Sequence, residues 1–259
     1  MLRALSSSTA GLLAQQIRVD IAANNVANVQ TTGFKAGRAS FGDLLSGRLE
    51  KEIVPLDGGA AQAQVGAGAG LTATLRDFAP GMPLETGRPL DLAIEGEGFF
   101  AVDRADGGER LYTRDGTFYI DAEGNLVTAG GDPVAPGIQV PEGALEVSVR
   151  PDGTVTALGA EGEPEELGRL NLYTFPNPGG LEARGGNLFA ATAAGGEATE
   201  GLPGEDGMGT LRSGRLESSN VDLAAEMVTL IEAYRAFQVN ARMVQTSDDM
   251  WGQANRLRD

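Results

Sequence analysis

Both ends of the chain carry an apolar stripe on a heptad spacing, and no other feature constrains the fold as strongly. Leu2, Leu5, Thr9, Leu12, Gln16, Val19, Ala23 and Val26 follow one another at alternating three- and four-residue steps, which places them along one side of a helix. Leu13, Ile17 and Ile21 add a second row at four-residue steps, so the stripe is wider than a two-stranded seam needs. Residues 1–28 hold no proline and one glycine, Gly11. A helix over 2–28 is expected, ~40 Å long at ~1.5 Å per residue. Near the other end, Leu223, Met227, Leu230, Tyr234, Phe237, Ala241, Val244, Asp248 and Trp251 repeat the pattern, with Val228 and Ile231 broadening it. Ser218-Ser219-Asn220 offers capping oxygens, and Ser219 with Asp222 resembles a capping box. That predicts a helix over 219–257 of roughly 58 Å, far beyond the ~11–12-residue mean, and favours a coiled coil or bundle.

Between these ends the composition changes. All 12 prolines lie between residues 55 and 214, with most of the 38 glycines. Short β-type runs recur: 92–94, 99–102, 117–120, 126–128, 147–149, 155–157 and 170–175. Asp106-Gly107, Asp115-Gly116, Glu123-Gly124-Asn125 and Asp152-Gly153 supply turn signals between them. Residues 57–70 carry no core-forming side chains and read as a flexible or extended linker. The expected fold is α+β: long N- and C-terminal helices packed as a coiled coil, with a central all-β, antiparallel barrel- or sandwich-like domain. Its parts are residues 1–40 (helix and exit loop), 41–80 (linker), 81–214 (β domain) and 215–259 (second helix).

Inventory excludes much chemistry. The chain of 259 residues has no cysteine and no histidine. Ser-His and Cys-His catalysis, disulfides and zinc-finger spacings are thereby removed. No run of ~18 apolar residues exists to span a membrane, so no membrane insertion is expected. The alternating N-terminus lacks the continuous apolar core of a cleavable signal peptide. With 20 basic and 36 acidic side chains the net charge is −16, which argues against nucleic-acid binding. The charge is uneven: residues 1–48 carry +3, residues 209–259 carry −1, and residues 49–208 carry −18. Nearly neutral ends can pack against each other or against further copies, while the acidic centre stays solvated.

Local motifs have plain alternatives. Residues 66–70, Gly-Ala-Gly-Ala-Gly, lack the Lys-Ser/Thr of a phosphate loop. The acids Glu161, Glu163, Glu165 and Glu166 do not match calcium-ligand spacing and read as a solvated run. Glu95 and Glu97 flank Gly96 and imitate a paired-carboxylate site. Tyr234, Phe237 and Trp251 read as a packing stripe rather than a cofactor box. Arg235 and Arg242 lie off that stripe, either exposed or facing a neighbouring subunit. No catalytic residue, cofactor or metal is expected. Two half-buried amphipathic helices leave apolar surface that one antiparallel pair cannot cover, so lateral neighbours in a polymer are expected to cover it.

The string ANNVANVQTTGFK (23–35) closely resembles the N-terminal signature of the bacterial flagellar rod and hook (axial) family. PLDLAIEGEGFFAV (89–102), YTRDGTFYIDAEGNLVTAGGDPV (112–134) and LESSNVDLAAEMVTLIEAYRAFQVNARMVQTSDDM (216–250) resemble the same family. Length and SFGDLLSG (40–47) are most similar to its distal rod branch, while DDMWGQANRL also resembles proximal rod relatives. The resemblance implies a structural subunit of the basal-body rod that self-assembles helically into the drive shaft between motor and hook. It implies a homopolymer, proximal rod and hook neighbours, passage through the flagellar export apparatus, and a place in the cell-envelope-spanning basal body. The residues expected at subunit interfaces are Leu2, Leu5, Leu12, Val19, Asn24, Asn25, Asn28, Leu223, Met227, Leu230, Tyr234, Phe237, Val244 and Trp251. A β-domain hydrolase on a helical stalk remains as a rival built on Glu95 and Glu97, and an adaptor binding one partner helix as another.

Overall fold

The computed structural model describes residues 2–44, 47–48, 64–65, 68–104, 107–141, 143–159, 163–205 and 207–256. Two compact units emerge: Met1–Val26, Gly37–Leu75 and Asp222–Asp259 form one, and Ala27–Ala36 with Arg76–Val221 form the other. Nearly half of the expected linker at 41–80, namely 45–46, 49–63, 66 and 67, lies outside the described residues, as do Asp106 and Glu161.

The first unit holds both terminal helices, α1 (Leu2–Ala27) and α2 (Leu223–Arg256). The second helix starts four residues later than the sequence pattern predicts. Asp222 is its cap: Ala224 N and Ala225 N donate to Asp222 Oδ1 at 2.9 and 3.2 Å, satisfying two of the free N–H groups of the first turn. Ser219 instead accepts from Val221 N at 3.3 Å.

Two contacts set the helix register. Asn25 Nδ2 donates to Glu226 Oε1 at 2.9 Å, and Gly11 faces Asn240, whose Nδ2 lies 3.0 Å from where a Cβ on Gly11 would sit. The contacts are fourteen residues apart on each helix and run in opposite chain directions, so the helices are antiparallel. Strands Gly37–Asp43 and Ala69–Arg76 pair in a two-stranded sheet.

The second unit is mostly β but is not a closed barrel. Its largest sheet has four strands, in the order Glu182–Gly185, Leu188–Ala190, Leu111–Thr113, Phe100–Val102. A three-stranded sheet joins Glu146–Val149, Thr154–Leu158 and Pro164–Arg169. Two-stranded pairs complete the unit. Among them Thr210–Ser213 lies on Leu92–Glu95, and Arg215–Glu217 on Pro83–Glu85, both antiparallel. Strands this short, interrupted by glycine turns, carry too few ladder bonds to close a cylinder.

Adjacent residues of a strand point to opposite sides, and Phe99-Phe100 uses this to serve two cores. Phe100 packs edge-to-face on Phe118, ring centroids 5.1 Å apart, in an aliphatic cluster with Leu92, Leu170 and Leu172. Phe99 joins Tyr112, Tyr173, Phe175 and Phe189 in an aromatic cluster. The Glu123-Gly124-Asn125 turn forms as expected. Asp121 accepts from Asn125 N, Asn125 Nδ2 and Glu123 N, which holds its carboxyl below the ordinary aspartate value, the Asn125 side chain contributing most.

Candidate assembly interface

The buried side chains of α1 and α2 are short ones. Ala14 and Ala22 of α1 and Ala233 and Ser247 of α2 are buried, Ala233 completely. Small residues at a helix contact let the backbones approach closely. The large apolar side chains are less covered. Leu5, Leu12, Val19 and Val26 of the expected seam are only half-buried, as are Leu230, Phe237 and Val244. Leu223, Met227, Tyr234 and Trp251 are exposed, Met227 by 55 % and Tyr234 by 54 %. Leu13, Val228, Ile231, Val239 and Met243 are exposed as well. Arg235 and Arg242 are also exposed. The side chain of Leu2 is outside those described.

The three asparagines divide. Asn24 is exposed, whereas Asn25 is buried and committed within the chain. Its Oδ1 accepts from Gly37 N at 2.8 Å, and its Nδ2 donates to Gly37 O at 3.0 Å as well as to Glu226. That two-point bond imitates a strand ladder and starts Gly37–Asp43 beside the helix end. Asn28 accepts from Thr31 Oγ1 at 3.2 Å, shaping the exit turn.

In the second unit, residues that periodicity does not mark form a buried charge cluster. Glu217 Oε1 accepts from Lys35 Nζ at 2.6 Å and from Gly81 N at 2.7 Å, and Glu217 Oε2 lies 3.5 Å from Arg114 Nη1. Lys35 also donates to Ala79 O, and Arg114 to Gly96 O. All three charged side chains are at least 96 % withdrawn from solvent, with exposures of 0, 3 and 4 % for Lys35, Glu217 and Arg114. Burial lowers the pKa of Lys35 and of Arg114, and in each the attraction of Glu217 opposes it.

The backbone crosses at the same place. Gly33 N donates to Glu217 O, and Asn220 N to Phe34 O. Asn220 Oδ1 accepts from Ala36 N, and its Nδ2 donates to Asp77 O and Ala79 O. Gly33 is at φ +66°, and a Cβ there would come within 2.6 Å of Asp115 N; only glycine fits this crossing. Lys35, Arg114 and Glu217 each belong to one of the family-like strings, and the folded unit brings those strings together.

The carboxylates weighed for hydrolysis do not converge. Glu95 accepts from Arg212 Nε at 2.9 Å on the paired strand, while Glu97 forms an isolated bridge to Met208 beyond Gly96. Among the described residues no cluster of three metal-ligating side chains occurs, and no helix is long and apolar enough to cross a membrane.

A unit with both end helices and a β unit in which residues of the signature strings meet at Glu217 fit the flagellar rod and hook class of axial proteins. Three family descriptions match: "Flagella basal body rod protein" over 5–35, "Flagellar hook protein FlgE/F/G D1 domain" over 93–157 and "Flagellar basal body rod FlgEFG protein C-terminal" over 212–257. The flagellar basal-body rod protein FlgG of Borreliella burgdorferi is 44 % identical over 269 residues, covering 100 % of this chain and 99 % of its own. That of Caulobacter vibrioides is 39 % identical, covering 99 % and 100 %. The flagellar hook protein FlgE of Helicobacter mustelae is 44 % identical, but over 51 % of this chain and 30 % of its own. The chain belongs to the FlgG family of flagellar basal-body rod proteins and is a structural rod subunit; this is not an enzyme class, and the hydrolase reading is not favoured.

Replacing Glu217 by glutamine leaves two buried cations without their anion. The urea midpoint of the second unit is expected to fall by an amount equivalent to about 3–5 kcal/mol. Lys35 adds a pH dependence. Its folded pKa lies below 10.5, so between that lowered value and 10.5 the unfolded chain binds more protons and stability rises with pH. Urea midpoints measured across this alkaline interval should show that rise in the native chain, and Lys35→Met should remove it.

Proposed function

We propose that copies of the chain assemble helically through the outer faces of α1 and α2 into the distal shaft of the rod. The observation that carries this reading is the burial of side chains: the buried ones of both helices are short, and Leu13, Met227, Val228, Ile231, Tyr234 and Trp251 are exposed. Apolar surface of this extent is covered at lower free energy by neighbouring copies than by water. Contacts between non-identical faces continue without closing, which suits a filament rather than a ring.

In the assembled shaft the terminal helices pack as a coiled coil, a reading supported by the matched fourteen-residue spacing of their two contacts. Leu5, Leu12, Val19, Leu223, Met227, Tyr234 and Trp251 then face neighbouring copies, Leu230, Phe237 and Val244 lie at the margin, and Asn25 holds the helix end inside each subunit. Close packing of these helices transmits torque from motor to hook. The partners at the two ends are the proximal rod and hook proteins, which the similarity of its segments to hook proteins supports. The chain reaches its place through the flagellar export apparatus.

Static light scattering of the purified chain should show mass growing with concentration without a plateau. Met227→Lys, at a position 55 % exposed, should stop that growth while changing subunit stability by no more than ~0.5 kcal/mol. Growth that survives several such substitutions along both helices would place the contact elsewhere.

A further inference from the structure

The second unit is closed by its own last segment. Thr210–Ser213 supplies the partner strand of Leu92–Glu95, and Arg215–Glu217 that of Pro83–Glu85. Leu211, only 1 % exposed, enters the aliphatic core with Phe100 and Phe118. The side chain of Glu217 supplies the anion for Lys35 and Arg114. Asn220 ties Ala36, Asp77 and Ala79 together. Without residues 210–221 the unit would bury two cations with no counter-charge and leave two strands without partners. Both deficits are costly in a dry interior.

We propose that residues 210–221 act as a closing strap that gates the folding of the whole second unit. The core around Phe100 and Phe118 forms only when the strap is docked, and it opens whenever the strap leaves. The glycines at 201, 204, 207 and 209 precede the strap and let the chain turn back onto the unit. Contacts such as Lys35–Glu217, 182 residues apart, place the closing step late because loop closure precedes their formation. A chain that emerges N-terminus first therefore keeps the parts of this unit that precede the strap, 27–36 and 76–209, unfolded until the strap is free. Under the assembly reading above, this is the state that passes through an export channel. The strap itself does not depend on that reading.

Native-state amide exchange on the full-length chain, kept dilute and followed with increasing denaturant, tests the strap. The amides of Leu211, Phe99 and Tyr173, each donated within this unit, should merge into one opening event with a common denaturant dependence. Leu211→Ala should raise exchange at all three together by roughly 100-fold or more. Exchange of Leu211 by a smaller opening, with Phe99 and Tyr173 still protected, would overturn the proposal. If Leu211→Ala does not fold, the unmodified chain alone decides, because the coincidence or separation of its three curves is already the result. Filament growth plays no part in this readout, so a failure here is distinct from a failure of assembly.

Discussion

Few side chains of the two terminal helices are buried within the chain, and those few are short. Gly11 stands against Asn240 and Asn25 against Glu226, and Ala14, Ala22, Ala233 and Ser247 are buried on the same sides of the two helices. Of the bulky apolar side chains, Leu13, Met227, Val228, Ile231, Tyr234, Val239, Met243 and Trp251 are exposed, while Leu230, Phe237 and Val244 are half-buried. The usual arrangement of a soluble helix pair, with large residues inside and polar ones outside, is partly inverted. That inversion is a weakness for an isolated molecule and a means of cohesion for a filament.

A second constraint governs the β unit. Its sheets are small, and none closes on itself among the described residues, so the ladder alone cannot hold it together. Two hydrophobic clusters and one buried carboxylate take that part. Glu217 withdraws a negative charge from water only because two cations and a backbone N–H meet it there. Removing Glu217 leaves both cations without a counter-charge, so the arrangement is held as a set. The first and last segments of the unit meet at this group, which makes its completion depend on residues far apart in sequence.

Much of this was legible in the residues. The heptad stripes place both helices, since 3.6-residue periodicity survives any tertiary context. The seven β runs each contain an observed strand because their Val, Ile, Phe and Tyr side chains enter the cores. Strands such as Pro83–Glu85 and Glu182–Gly185 escaped notice because they are exposed and polar, and are strands only through their partners. The second helix starts later than its capping pattern suggests because Asn220 is engaged in the crossing and Ser219 in a local turn with Val221 N. The inner line of the helix pair was also hidden, since alanine and glycine carry little weight in a hydrophobic count. Lys35, Arg114 and Glu217 carry no periodicity at all. They were marked only by lying inside strings that resemble a family, and the fold supplies the physical reason.

Amide exchange along α1 and α2, compared between dilute chain and assembled rods, tests most directly the claim that these helices are completed by other copies. In the dilute chain the amides of both helices should exchange far faster than the Phe99 amide of the β unit, and assembly should slow them to a comparable rate. Strong protection throughout both helices in a chain that shows no association would contradict the account.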